Sequence, residues 1–438
     1  MSGTPTPKPD KVPAAKVPDS TVVETLEEGQ TPAVEAQQDS RWVVALKAAA
    51  GGSAAISVLA VLLALIVGAI MIAATDDKVQ AASGYFFSRP TDMLSAIWNA
   101  VSGAYIALFQ GSIINFRADT FGGAIKPFTD TLTFATPLIA AGLGVAVAFR
   151  VGLFNIGARG QMLVAAIFAG WVGFNLHLPF GLHLIVAIIA GLAGGAIWGG
   201  IVGLLRARTG AHEVITTIML NYVAFYLLSY LLTTPVLQQS GSSNPKTPAM
   251  DDTAILPKLL GPGYSLHLGF IIVIAATVGV WWLMNRSALG FQFRAVGENP
   301  SAARVAGMNV KNVYLYAMLI SGGLAGLAGV SQVLGTVTTG FGSGIDAGIG
   351  FDAITVALLG RSRPWGVFFA GILFGAFKAG GFAMQAQEGV PIDIILVVQS
   401  IIVLLIAAPP LVRAVFRLPQ PTGVSLRTVS LKKAVVSK

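Results

Sequence analysis

Between residues 52 and 74 the chain carries neither a charged side chain nor a proline, and nearly every position is apolar. At 1.5 Å per residue a helix of that length crosses the hydrocarbon core of a bilayer, about 30 Å thick. No water reaches the backbone there, so each N–H and C=O must be satisfied within the segment, and a helix is the only open-ended way to do it. The composition repeats this message along the chain: 54% of residues are hydrophobic, 11% are charged, and the mean hydropathy is +0.74. A soluble domain has roughly 25% charged residues. The chain therefore reads as an all-α polytopic membrane protein.

Further spans are expected at 131–148, 161–174, 182–205, 214–237, 266–284, 313–334, 350–360, 365–384 and 392–411, which with the first makes about ten. The stretch 350–360 reaches only about 16 Å, half the hydrocarbon thickness, and reads as a half-helix entered through the glycine-rich TTGFGSGIDAGIG. Residues 93–113 are apolar but weakly patterned. They read as a helix on the membrane surface or packed on the bundle. A full span there would invert every later loop against the bias of basic residues. That bias puts Arg206 and Arg208, Arg361 and Arg363, and the bases after Arg413 on the cytoplasmic side with both termini. The chain divides into a disordered cytoplasmic tail at 1–46, a transmembrane domain at 47–411 and a second tail at 412–438.

Several function classes fall away. A net charge of +8 could suggest nucleic acid, but the basic residues sit in the turns between spans, which is a topology signal. With no cysteine and only four scattered histidines, no metal site is expected. No GxxxxGK[ST] loop and no catalytic cluster appears, so the chain is not expected to be an enzyme or to hold a cofactor.

Polar residues inside apolar spans carry the information that remains, because lipid makes them expensive. In GAHEVITTIMLNY, Glu213, Thr217 and Asn221 recur every four residues and share one helix face. Asn221 lies roughly 12 Å along the axis from Glu213. Such a stripe fits either a water-filled path or hydrogen bonds between helices. FNIGARGQM, 154–162, interrupts two apolar runs with Asn155, Arg159 and Gln161. It is either an inside turn facing lipid head groups or a discontinuous helix lining a cavity. Asp352 and Asp393 stand in first helical turns, where a carboxylate satisfies free N–H groups; Asp352 is also a candidate for the path. Glycines four apart, Gly195/Gly199/Gly203, Gly322/Gly326 and Gly371/Gly375, mark close helix packing.

One polar island, 286–312, carries Arg286, Arg294, Arg304 and Lys311 against Glu298. Within it Asn299 and Pro300 are helix-start signals, and Ser301, Ala302, Ala303 and Arg304 form a short helical run closed by Gly307. It is either a basic loop that fixes topology or a helix that docks a soluble partner.

Three of these segments, in order, resemble the inner-membrane permeases of bacterial ABC importers for nucleosides, branched-chain amino acids and simple sugars. FNIGARGQM is similar to that family's FNIGAEGQM, GAHEVITTIMLNY to its GANEVISTIMLNY, and RAVGENPSAARVAGMNV to its coupling loop. GFDAITVALLGRSRPWGV extends the likeness, and the wording is nearest the nucleoside branch associated with Bmp-type lipoproteins. The resemblance implies an importer permease fold, a second permease subunit, a cytoplasmic ATPase that binds ATP and magnesium and docks on the coupling loop 286–311, and an external substrate-binding lipoprotein. The implied function is ATP-driven nucleoside import, with Asn155, Gln161, Glu213, Thr217, Asn221 and Asp352 along the path. A permease for simple sugars such as ribose, or an ion-coupled secondary transporter, is the alternative. Arg159 departs from the family's Glu, and Ser301 stands where the coupling pattern has Glu.

Overall fold

The computed structural model describes residues 53–416. The tail at 1–46 and the greater part of the tail at 412–438 lie outside the described residues. Within them the chain is helical, and its extended pairing is limited to one isolated bridge, Lys258 with His267.

In chain order the helices are α1 Ser53–Thr75, α2 Asp77–Ser83, α3 Pro90–Ser112, α4 Phe121–Arg150, α5 Ala158–Asn175, α6 Leu182–Thr209 and α7 Glu213–Leu231. They continue with α8 Gly269–Arg286, α9 Ala288–Glu298, α10 Pro300–Val305, α11 Val310–Ser331, α12 Ile349–Leu359, α13 Pro364–Glu388, α14 Asp393–Ala407 and α15 Pro409–Val415. Among the described residues, seven helices are long and apolar enough to cross a membrane: α1, α4, α6, α7, α8, α11 with its extension, and α13. The other three expected spans are helices too. α5 has a polar first turn, α14 has 15 residues, and α12 has 11 and is the expected half-helix.

The ends differ from expectation where polar residues or prolines intervene. α4 begins ten residues before 131 and runs through Lys126, Pro127 and Asp130. A polar helical turn beyond the apolar stretch gives no hydropathy signal. α7 stops at Leu231 rather than 237, because Thr233, Thr234 and Pro235 turn the chain. α14 stops at Ala407 rather than 411, since Pro409 cannot continue it and opens α15. The island 286–312 holds two helices, α9 and α10, where one was expected. Residues 93–113 form α3, which packs on the bundle: Tyr105 donates its hydroxyl to Leu65 O on α1, and Gly111 lies against Ala383 and Gly380 of α13.

Small residues set the closest contacts. A Cβ on Gly195 or Gly199 of α6 would overlap backbone atoms of Gly322 and Met318 on α11, and one on Gly322 would overlap Gly195 O. In lipid, where hydrophobic association is weak, this backbone approach is what holds two helices together. Gly371 and Gly375 of α13 pack in the same way on Ile139 and Thr131 of α4. α11 does not end cleanly. Residues Gln332–Thr336 widen into a π-helical turn, where Gly335 admits the imidazole of buried His267.

Candidate functional site

The join between α4 and α5 is where the polar residues of the sequence converge. α4 ends at Arg150, Gly152 takes a positive φ of 78°, and residues 153–157 are unwound before α5 starts. Unwinding removes ladder partners from backbone groups that are nonetheless buried, at about 1–3 kcal/mol for each one left unmet. Side chains supply the partners. Asn155, fully buried, donates from Nδ2 to Ser321 Oγ at 2.8 Å and Gln161 Oε1 at 3.2 Å, and accepts from Gly157 N at 2.8 Å. Ser321 donates its hydroxyl to Gly144 O at 2.7 Å, tying α11 to α4.

The stripe on α7 completes the set. Asn221 donates to Ile156 O at 2.9 Å and accepts from Gly160 N at 2.8 Å, so one carboxamide spans the break. Thr217 turns its hydroxyl back to Glu213 O at 2.8 Å and packs its Cβ against Gly157. Glu213 accepts a long bond from Phe154 N at 3.5 Å and lies 3.4 Å from Arg206 Nε at the end of α6. As the spacing requires, Glu213, Thr217 and Asn221 share one face, and it is the buried face of α7, continued by Ala224 and Leu228. The other side, with Ile215, Met219, Tyr222 and Tyr226, is exposed. Five of the six path candidates thus form one network around an interrupted helix. Its polar atoms are engaged with backbone and with one another, except Glu213 Oε2, which is buried without a hydrogen bond and faces only Arg206.

Asp352 stands elsewhere. It begins α12 and faces Lys378 Nζ at 3.6 Å; Lys378 also donates to Ala347 O at 3.1 Å. A second pair lies beside it. Arg159 approaches Asp346 through Nε at 3.0 Å and Nη2 at 3.3 Å, and its guanidinium covers the Phe225 ring at 5.2 Å. Asp346 and Lys378 escaped the sequence reading, because each is a single charge in a glycine-rich apolar stretch without the four-residue recurrence that singled out Glu213. The glycine-rich loop closes the two groups together. Gly340 and Gly348 have φ of 97° and 78°, and Gly350 packs directly on the backbone of Arg159, so the starts of α5 and α12 meet.

The basic island is anchored by its cap and by one buried residue. Asn299 Oδ1 accepts from Ser301 N and Ala302 N at 3.0 Å, and Pro300 opens α10. Ala303 is the buried residue of α10 and joins the main core, while Ser301, Ala302 and Arg304 are exposed and Val305 is 90% exposed. Gly307 turns the chain out with φ 84°. Above α10, Gly297 of α9 lies so close to Arg150 that a Cβ would overlap its carbonyl. Arg150 in turn donates from Nε to Ser362 O at 3.0 Å. The exposed helix α10 is therefore joined through α9 to the end of α4, three residues before the unwound segment begins.

Such a bundle, with seven membrane-length helices among the described residues, an unwound join held by buried polar side chains and a short exposed helix at one end, is that of a multi-pass membrane protein. The profile of the family described as branched-chain amino acid transport system / permease component matches residues 128–407, and the chain belongs to that family. It is 38% identical to the guanosine ABC transporter permease protein NupP of Bacillus subtilis, over 82% of this chain and 94% of that one. It is 38% identical to the glucose ABC transporter permease protein TsgB13 of Haloferax volcanii, over 63% and 74%. It is 33% identical to the nucleoside ABC transporter permease protein NupB of Lactococcus lactis, over 71% and 86%. No solved structure matches the chain. The chain is thus a transport subunit.

Proposed function

We propose that this permease is the membrane-spanning subunit of an ATP-driven importer of nucleosides. The observation that carries the coupling is the contact of Gly297 with Arg150, which links α10 to the unwound segment held by Asn155 and Asn221. A partner ATPase, binding ATP and magnesium, docks on Ser301, Ala302, Arg304 and the flanking Asn299, Pro300 and Gly307. Its closure pulls α9 against the end of α4 and shifts the bundle between outward and inward access. Both termini and α10 then lie in the cytoplasm, consistent with the basic residues of that end. The other partners are a second permease subunit and an external substrate-binding lipoprotein. Residues Asn155, Gln161, Glu213, Thr217 and Asn221 frame the wall of the path, and Asp352, partly exposed beside Lys378, faces it.

The nucleoside assignment draws on NupP and NupB, which align over most of this chain. The glucose permease of Haloferax is as similar in identity over a shorter stretch, so a simple sugar is the second reading. Uptake of labelled guanosine into vesicles carrying the whole complex decides between them. It is expected to require ATP and the partner ATPase and to resist excess glucose or ribose. Uptake that persists without the ATPase would end the ABC reading, and competition by sugar would replace the nucleoside.

A further inference from the structure

At the end of the bundle opposite α10, α3, α4 and α13 enclose a cavity of about 580 Å³, within the range of small-molecule sites. Neither the buried polar network nor the ion pairs line it. Two aromatic rings do: Phe134 of α4 and Phe382 of α13, tilted by 30° with centroids 5.7 Å apart. Phe382 is 48% exposed.

Around the rings stand polar groups of a particular kind. Gln110, Gln387 and Lys126 line the cavity, and no side-chain hydrogen bond engages them among the described residues. Asp130, which also lines the cavity, accepts from Ser265 through one carboxylate oxygen, and its other oxygen is in no hydrogen bond among the described residues. Thr336, the last residue of the π-helical turn, closes the floor, with buried His267 at 3.5 Å behind it. π-Helical turns are uncommon and concentrate at functional sites, and this one brings a hydroxyl to the cavity where an α-helix would have carried the ladder on.

The geometry points to a nucleoside-binding site in this cavity, a resting place on the permease between delivery and the path. The ligand class follows from the lining. Phe382 and the half-buried Phe134 offer ring faces to a planar base. Free carboxamides carry both donors and acceptors for its edge. Asp130 and the hydroxyls of Ser265 and Thr336 suit ribose hydroxyls. One acid and one base, Asp130 and Lys126, leave the lining without net charge, which suits a neutral solute. The assignment rests on the nucleoside reading above.

The chain has no cysteine, which permits a direct test in the assembled complex. Ala383→Cys places a single thiol in the cavity at a lining position that is given no contact with the ligand, and Ser240→Cys places one outside it. Guanosine is expected to slow maleimide labelling of the first several-fold and of the second not at all, with glucose inert at both. Phe382→Ala is expected to raise KM for guanosine about tenfold, the loss of one base–ring stack, with Phe382→Tyr near the parent. Equal labelling with and without guanosine, in a complex whose guanosine uptake is intact, would overturn the site and leave the importer standing. Protection by glucose instead of guanosine would overturn the ligand class. Absence of guanosine uptake in the unsubstituted complex would overturn the importer reading itself.

Discussion

Asn221 and Gly160 are joined by a 2.8 Å hydrogen bond from the glycine N–H to the Asn221 Oδ1, and the same carboxamide donates to Ile156 O at 2.9 Å. One side chain therefore satisfies both ends of a helix break, from a residue 61 positions away. Asn221→Leu leaves two buried backbone groups unmet and is expected to cost about 2–4 kcal/mol. Thermal unfolding of the purified subunit measures it, and an unchanged midpoint would remove Asn221 from the scaffold of the break.

The exposed apolar tip of α10 sets a second expectation. Val305 contributes nothing to the fold at 90% exposure, so Val305→Asp should leave the folded subunit intact while reducing co-purification of the partner ATPase. Ala303→Phe should disturb both, because Ala303 is buried in the core beneath the helix. Undiminished ATPase recovery with Val305→Asp would show that α10 is not the docking surface.

Gly297 is the narrowest link between that surface and the bundle. A methyl group there meets the carbonyl of Arg150, which is backbone and cannot swing aside. Gly297→Ala should displace α9 at a cost of about 1–3 kcal/mol. ATP hydrolysis by the complex should then continue with guanosine uptake reduced several-fold. Uptake and hydrolysis that stay in the parent ratio would show that force does not pass through this contact.

The Arg159–Asp346 pair is half-open: the arginine side chain is 25% exposed and the aspartate 6%. Arg159→Gln strands the buried carboxylate and should destabilise by about 1–3 kcal/mol, less than a fully buried pair would. Adding Asp346→Asn should recover most of that loss, giving a coupling energy of about 1–2 kcal/mol in a double-mutant cycle. Strict additivity of the two changes would mean that the pair makes no contribution.

How far the sequence went can be traced residue by residue. The spans were legible because an uncharged apolar run in lipid has only one backbone solution. The common face of Glu213, Thr217 and Asn221 was legible because the helical period dictates it. What that face touches was not, since Ile156 and Gly160 belong to another helix. The partners of Arg159 and Asp352 were hidden for the same reason: Asp346 and Lys378 are remote in sequence, and a lone charge in a glycine-rich run does not announce its mate. Helix ends at Phe121 and Leu231 depend on polar turns that hydropathy does not register. The π-helical turn at 332–336 left no mark in the pattern of residues, because a single added residue in the helical ladder changes no composition.

The glycine seam between α6 and α11 bears on how such a machine can move. Even one Cβ added at Gly195, Gly199 or Gly322 would overlap backbone of the facing helix, so the two backbones pack with no side chain between them at these positions. This seam is therefore a close-packed pair, and on the coupling proposed above a stroke started at α10 falls on other helices. α7 is suited to take it up, being attached on one side through a few hydrogen bonds that can break and re-form, with its other face already bare.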